Sequence, residues 1–240
     1  MAAALGWGIV AASSLVIGVA LALVRDWPSS LVGLVLAFGA GALISAVSYE
    51  LAQESFALGD QGITALGLGA GALTFYLADG AISGHGQRGR PGRKSSSGAG
   101  TALALGAFLD GIPEQTVLGI GLAAGEGVSV GLLVAIFVSN LPEAIGSATA
   151  MRAAGTRAAT IRRLWLLVAL VCVAATVVGY AVADNVSRNL NAAIDGFAAG
   201  ALLVMLIDSM IPEAVRKGGD ISGLVTVLGF AVAAGLSGLS

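Results

Sequence analysis

Two consecutive apolar segments of this chain each carry a proline–glutamate step, DGIPE at residues 110–114 and SNLPE at residues 139–143. An ionised acid near the centre of a bilayer costs about 2.5–3.5 kcal/mol on insertion scales. Three such acids, Asp110, Glu114 and Glu143, would together cost about 8–10 kcal/mol if they were ionised and unpaired. We therefore expect these side chains to face one another, water or a cation inside a helical bundle, and not lipid.

The composition around these steps indicates a membrane protein. The chain has 240 residues, of which 57% are hydrophobic and 11% charged, and its mean hydropathy is +0.93. Soluble domains carry about 25% charged residues, so this chain has too few polar side chains to cover a surface in water. Its 36 glycines favour the close helix packing found in lipid. The single cysteine excludes an intrachain disulfide.

Apolar runs of about 20 residues predict eight transmembrane helices. These spans lie near residues 4–24, 30–52, 62–81, 99–123, 127–151, 161–183, 190–212 and 220–239. We predict an all-α membrane protein with one polytopic domain over residues 1–240, its helices arranged 3+2+3 around a central pair. The polar residues 82–98 predict a flexible cytoplasmic loop between the third and fourth helices. The first span lacks a positive n-region, which favours a retained helix over a signal peptide.

The basic residues predict the orientation of the chain. Of the twelve, only Arg188 falls in an even-numbered loop. Because positive residues favour the cytoplasm, we expect the odd-numbered loops inside and both termini outside a cell membrane, inner or plasma. The basic third loop suits an anionic lipid surface. Its charge has this topological reason and it lacks aromatic residues, so we expect no nucleic-acid partner.

The second and seventh spans contain a related segment, FGAGAL at residues 38–43 and FAAGAL at residues 197–202. Glu54 and Glu213 follow these segments at the same spacing. By the charge assignment the two spans run in opposite directions, which is typical of inverted-repeat transporters with a site near the midplane. The alternative is that glycine- and alanine-rich helices resemble one another by composition alone.

The two proline–glutamate steps predict a cluster of oxygen atoms. Asp110 and Glu114 are four residues apart, hence on one helical face about 5–6 Å apart at Cβ. Ser139 and Glu143 have the same spacing, with Asn140 beside them. Each proline leaves the carbonyl four residues earlier without its helical partner, and a cation or water can supply one. The alternative is that the acids are protonated and hydrogen-bonded to neighbouring helices, and that the prolines only kink the backbone.

These motifs resemble the ZIP family of zinc/iron-regulated transport proteins, in which the fourth helix typically has His-Asn-x-Pro-Glu-Gly and the fifth a related proline motif. The long third loop, the outside termini and DSMIP at residues 208–212 are also similar to the family. Glu114 and Glu143 match its glutamates, whereas Asp110 and Ser139 stand where histidines are usual. The chain thus resembles a divergent member that lacks the histidine ligands. The family's sixth-helix glutamate aligns with Cys172, which is a ligand or only a small packing residue.

The resemblance implies a metal centre whose ligands here would be Asp110, Glu114, Ser139, Asn140 and Glu143. Zinc favours imidazole and thiolate, while an oxygen set is closer to manganese or magnesium sites. We expect a secondary transporter and no enzyme, with a divalent metal as substrate and no cofactor. Zinc is the family default, with manganese or iron open. The other partners expected are membrane lipids, and a homodimer is left open. The alternative is a transport-inactive scaffold or sensor derived from a transporter.

Overall fold

The computed structural model describes residues 1–52, 60–87, 111–123, 130–183 and 187–237. Within these ranges the chain is helical and contains no strand, which confirms the all-α prediction for this part of the protein. The α-helices are α1 Ala2–Val24, α2 Ser29–Ala46, α3 Gln61–Gln87, α4 residues 111–123, α5 Val130–Ala153, α6 Ala158–Ala183, α7 Arg188–Met205, α8 Ile211–Gly218 and α9 Ser222–Ser237. Two π-helices, π1 Val47–Ala52 and π2 Leu206–Met210, continue α2 and α7.

Six helical spans in the described ranges are long and apolar enough to cross a membrane. The last of them, Asn189–Leu236, has 48 residues and includes the short turn Gly219–Ile221 between α8 and α9. About 20 residues suffice for one crossing, so this span has the length for two. The protein is therefore a multi-pass helical membrane protein, while eight crossings remain a prediction.

Two predicted features fall partly or wholly beyond the described residues. α3 continues to Gln87, so it includes residues 82–87 of the predicted loop, and residues 88–98 lie outside the described ranges. Asp110 also lies outside them, directly before the first described residue of α4.

The helices pack in an order that differs from the chain order. α1 packs against α5 and α6, α2 against α5, α8 and α9, and α3 against α7. The buried residues among these helices are dominated by alanine and leucine. Small residues let helix backbones come close in lipid, where packing and not water exclusion holds helices together.

Glycine contacts on the two related segments match each other. A Cβ at Gly71 of α3 would overlap the carbonyl oxygen of Phe197 in α7. A Cβ at Gly229 of α9 would overlap the carbonyl oxygen of Phe38 in α2. Phe38 and Phe197 are the first residues of the related segments, so the two backbone approaches occupy corresponding positions.

A second pair of contacts repeats this relation one turn along the same helices. Gly41 of α2 approaches the carbonyl oxygen of Thr226, and Gly200 of α7 approaches that of Leu68. Gly41 and Gly200 are again corresponding residues of the segments FGAGAL and FAAGAL. The packing of α2 on α9 therefore has the same local geometry as the packing of α7 on α3.

The two π-helices also begin at corresponding positions. π1 starts at Val47 and π2 at Leu206, each four residues after the leucine that ends its related segment. In π2 the amide of Ile211 donates to the carbonyl of Leu206, and Pro212, which has no N–H to donate, follows. Short π segments within α-helices frequently mark functional sites.

Candidate metal centre

The best-defined polar contact between α4 and α5 joins Glu114 to Asn140. Both side chains are 1% exposed. The amide nitrogen Nδ2 of Asn140 donates to Oε2 of Glu114 over 3.1 Å. A carboxylate that is buried away from water loses its hydration, so it needs hydrogen-bond partners within the protein. Two of the ligands predicted from the sequence, Glu114 and Asn140, therefore lie together in the interior, and metal binding by them stays a prediction.

Two further predicted ligands on α5 lie beside this pair. The hydroxyl of Ser139 donates to the carbonyl of Ile136 at 3.1 Å and also interacts with the Glu114 carboxylate. Glu143 is half-buried one turn further along, close enough to Glu114 for the two carboxyl groups to interact electrostatically. Pro142 lies inside α5, where it cannot donate to the carbonyl four residues earlier. Hydroxyl, amide and carboxylate oxygens therefore lie within one helical turn of each other on α5.

The described acids do not form a complete metal site by themselves. Across the described ranges, no group of three or more His, Cys, Asp and Glu side chains is close enough to hold a metal ion. A site at Glu114 and Glu143 therefore needs other donors, which are the oxygens of Ser139 and Asn140 or the carboxylate of Asp110. The position of Asp110 lies outside the described residues, so its role stays a prediction.

A polar contact between α4 and α6 was not predicted from the sequence. Gln115 is fully buried, and the hydroxyl of Thr176 donates to its Oε1 over 2.6 Å. The amide nitrogen of Gln115 has no hydrogen-bond partner within the described part of the chain. One signal was available in the sequence, since Gln115 stands where the resembled family has glycine, and a buried amide needs a partner.

Cys172 lies on the same side of α6, one turn before Thr176. Its thiol is buried, and a Cβ at Gly111 of α4 would be 2.7 Å from its sulfur. The thiol also lies close enough to Glu114 and Glu143 to interact with them electrostatically. Cys172 therefore faces α4 beside the acidic pair, and glycine at position 111 provides the space that the sulfur occupies.

The opposite border of the cluster is formed by α2 and π2. A Cβ at Gly39 of α2 would be 2.9 Å from the Cα of Ser139 and 3.0 Å from Cε of Met210. Glycine at this position lets α5 and π2 approach α2 at the same level. On α2, the contact with the candidate site at Ser139 therefore lies beside the contact with Met210 of π2.

No family model matches the chain. It is 27% identical over 188 residues to a protein described as a putative zinc transporter from Arabidopsis thaliana. The match covers 77% of this chain and 30% of that protein, so the chain spans less than a third of its relative's length. Because 188 residues are far more than one helix, the similarity extends over several helices and not only over a short motif.

Proposed function

We propose that this protein is a ZIP-type secondary transporter that moves a divalent transition metal across a cell membrane toward the cytoplasm. The observation that carries the proposal is the Glu114 carboxylate, 1% exposed and hydrogen-bonded to Asn140 across the α4–α5 interface. Intramembrane acids are costly and mark ion pathways by default. The similarity to a putative zinc transporter supports the same function.

In this proposal Asp110, Glu114 and Glu143 are the anionic ligands, and Ser139 and Asn140 supply neutral oxygens. A set of this kind can bind zinc, and it also suits manganese or iron, because carboxylate and carbonyl oxygens are hard ligands. Cys172 would add a softer donor if it turned from Gly111 toward the glutamates. The metal is the substrate, so it has to bind weakly enough to leave.

The proposed architecture has eight helices, with two inverted repeats of three around the α4–α5 pair, and both termini outside. The matched glycine contacts of α2 with α9 and of α7 with α3 support the repeat. The corresponding starts of π1 and π2 support it as well. In inverted-repeat transporters one repeat moves against the other around a fixed site, and this movement would open the acidic cluster to each side in turn.

Metal uptake into vesicles that contain the purified protein tests this function. The Glu114→Ala/Glu143→Ala double variant is expected to reduce uptake of Zn²⁺ and Mn²⁺ to the level of empty vesicles, because it removes both described acids of the site. Asp220→Asn is the matched control, since Asp220 is an exposed acid in the turn before α9. Undiminished uptake by the double variant would reject the ligand assignment.

A transport-inactive scaffold or sensor is the second candidate function. It is favoured by the absence, among the described residues, of three closely placed side chains of the usual metal-binding types. Metal-dependent thermal stability separates the two candidates, because a ligand at 100 times its Kd stabilises the folded state by about 2.7 kcal/mol. A melting temperature that does not change with any of the ions Zn²⁺, Mn²⁺, Fe²⁺, Co²⁺ and Cd²⁺ would favour the scaffold.

A further inference from the structure

Two basic residues of α8 pair with one acid but differ in their surroundings. Glu213 forms ion pairs with both Arg216 and Lys217, and Nζ of Lys217 lies 2.7 Å from Oε1 of Glu213. The Arg216 side chain is 72% exposed, whereas that of Lys217 is 24% exposed. The sequence places both in the same predicted cytoplasmic loop, so their charges alone do not distinguish them.

Lys217 reaches across to α5. A Cβ at Gly146 would be 3.2 Å from its Nζ. Gly146 follows Glu143 by three residues, so the two positions neighbour each other on one face of α5. The ammonium of Lys217 therefore occupies space that any larger residue at position 146 would fill. It lies one helical turn beyond a predicted metal ligand.

The backbone of Lys217 is held in this place by α2. A Cβ at Gly33 would be 2.6 Å from both the carbonyl carbon and the Cβ of Lys217. Gly218 follows, and the hydroxyl of Ser222 donates to the carbonyl of Ala214 at 3.1 Å, which fixes the turn after α8. Lys217 therefore enters the space beside Gly146 from a closely packed backbone.

The distance along the predicted transport path follows from the helix register. Gly39 meets Ser139 of α5 and Met210 of π2 at one level. Gly146 and Lys217 each lie seven residues further along their own helices, which at 1.5 Å per residue is about 10 Å. By the charge assignment this direction leads to the cytoplasm, so the Lys217 ammonium, which pairs with Glu213, lies on the cytoplasmic side of the metal centre.

We propose that Lys217 is a tethered cation that keeps the Glu213 carboxylate occupied at the exit and so speeds release of the metal. This inference rests on the proposed transport function. If Lys217 did not pair with it, the Glu213 carboxylate would bind the departing divalent cation a second time. The Lys217 ammonium is held in a fixed position and competes with the metal for the Glu213 carboxylate. The exposed Arg216 side chain pairs with the same carboxylate but contributes little, because exposed ion pairs are weak.

The test compares two single-charge variants in the vesicle uptake assay. Lys217→Gln is expected to lower the maximal rate of Zn²⁺ uptake about tenfold and to lower KM by a similar factor, because the metal is retained at Glu213. Arg216→Gln also removes one positive charge that pairs with Glu213. It is expected to keep both the maximal rate and KM within about twofold of the wild type. Lys217→Arg is expected to restore both, and Glu213→Gln/Lys217→Gln to restore the rate.

The outcomes separate this inference from the proposed function. If the wild-type chain takes up metal but Lys217→Gln and Arg216→Gln have equal maximal rates and equal KM values, the inference is wrong and the proposed function still stands. A lower rate at unchanged KM in Lys217→Gln also overturns it, because lost folded protein changes only the rate. Melting temperatures of all variants in detergent identify that case. Absence of uptake by the wild-type chain overturns the proposed function and this inference with it.

Discussion

Replacing Asn140 with leucine removes the amide that donates to the buried Glu114 carboxylate while keeping the number and branching of the side-chain heavy atoms. The hydrogen bond is 3.1 Å long and both residues are 1% exposed, so water cannot easily take the place of the amide. Leaving a buried hydrogen-bond acceptor without its partner costs about 1–3 kcal/mol. At about 2–4 °C per kcal/mol for a chain of this size, we expect the melting temperature of Asn140→Leu to fall by roughly 2–12 °C.

The assay is thermal unfolding in detergent with a chelator present, combined with a double-mutant cycle. Asn140→Leu should cost much less in a Glu114→Met background, because the buried oxygen that it leaves unpaired is absent there; we expect a coupling of about 1–2 kcal/mol. Asn191→Leu is the control, since the side-chain oxygen Oδ1 of Asn191 has no hydrogen-bond partner among the described residues. Equal effects of the two leucine variants, or a coupling below about 0.5 kcal/mol, would refute the reasoning.

Two further predictions concern packing away from the candidate site. Gly71→Ala and Gly229→Ala should each destabilise the protein by about 1–3 kcal/mol in thermal unfolding, because each added Cβ would overlap a backbone carbonyl of the facing helix. Gly69→Ala, with open space around the added Cβ, should not; a similar loss at position 69 would count against the matched contacts. Arg152→Gln should lower the melting temperature more than Arg162→Gln does, because Arg152 donates to the carbonyls of Ala22 at 2.9 Å and Leu23 at 3.3 Å, and pairs with Asp26, tying α5 to the end of α1. Equal effects of the two glutamine variants would show that this tie is unimportant.

Sequence patterns predicted the helices well because apolar runs reflect burial in lipid directly. The predicted span 4–24 and the observed α1 Ala2–Val24 differ by two residues, and span 161–183 ends where α6 ends. The end of α3 was less predictable. It continues to Gln87 through glycine, serine and histidine, where hydropathy has fallen but backbone hydrogen bonds persist.

The π-helices could not be predicted, because a change from α to π hydrogen bonding leaves no hydropathy signal. The related segments FGAGAL and FAAGAL did indicate where corresponding features would lie. They could not indicate that Val47 and Leu206 each begin a π segment.

The site was predictable in part, because the free-energy cost of placing a charged side chain in lipid limits where such residues can lie. Glu114 was expected in the interior because an acid facing lipid is expensive, and Asn140 because it lies beside Ser139 in the second proline–glutamate step. The partnership of Gln115 with Thr176 depends on the rotation of α6 against α4, which spacing within either helix does not determine. Lys217 was assigned to a loop because it lies between two apolar spans, whereas the structure buries most of its side chain and places its Nζ against α5. Long basic side chains bury their aliphatic stems and place only the charged end in a polar environment. The sequence alone does not show in which direction that charged end points.

The most direct test of the account is diffraction from crystals soaked with Zn²⁺ or Mn²⁺, collected at the absorption edge of each metal. The account predicts an anomalous peak between α4 and α5, with carboxylate oxygens of Glu114 and Glu143 at about 2.0–2.2 Å from a bound zinc ion. Metal found only at the protein surface, with the two carboxylates turned away from each other, would contradict it.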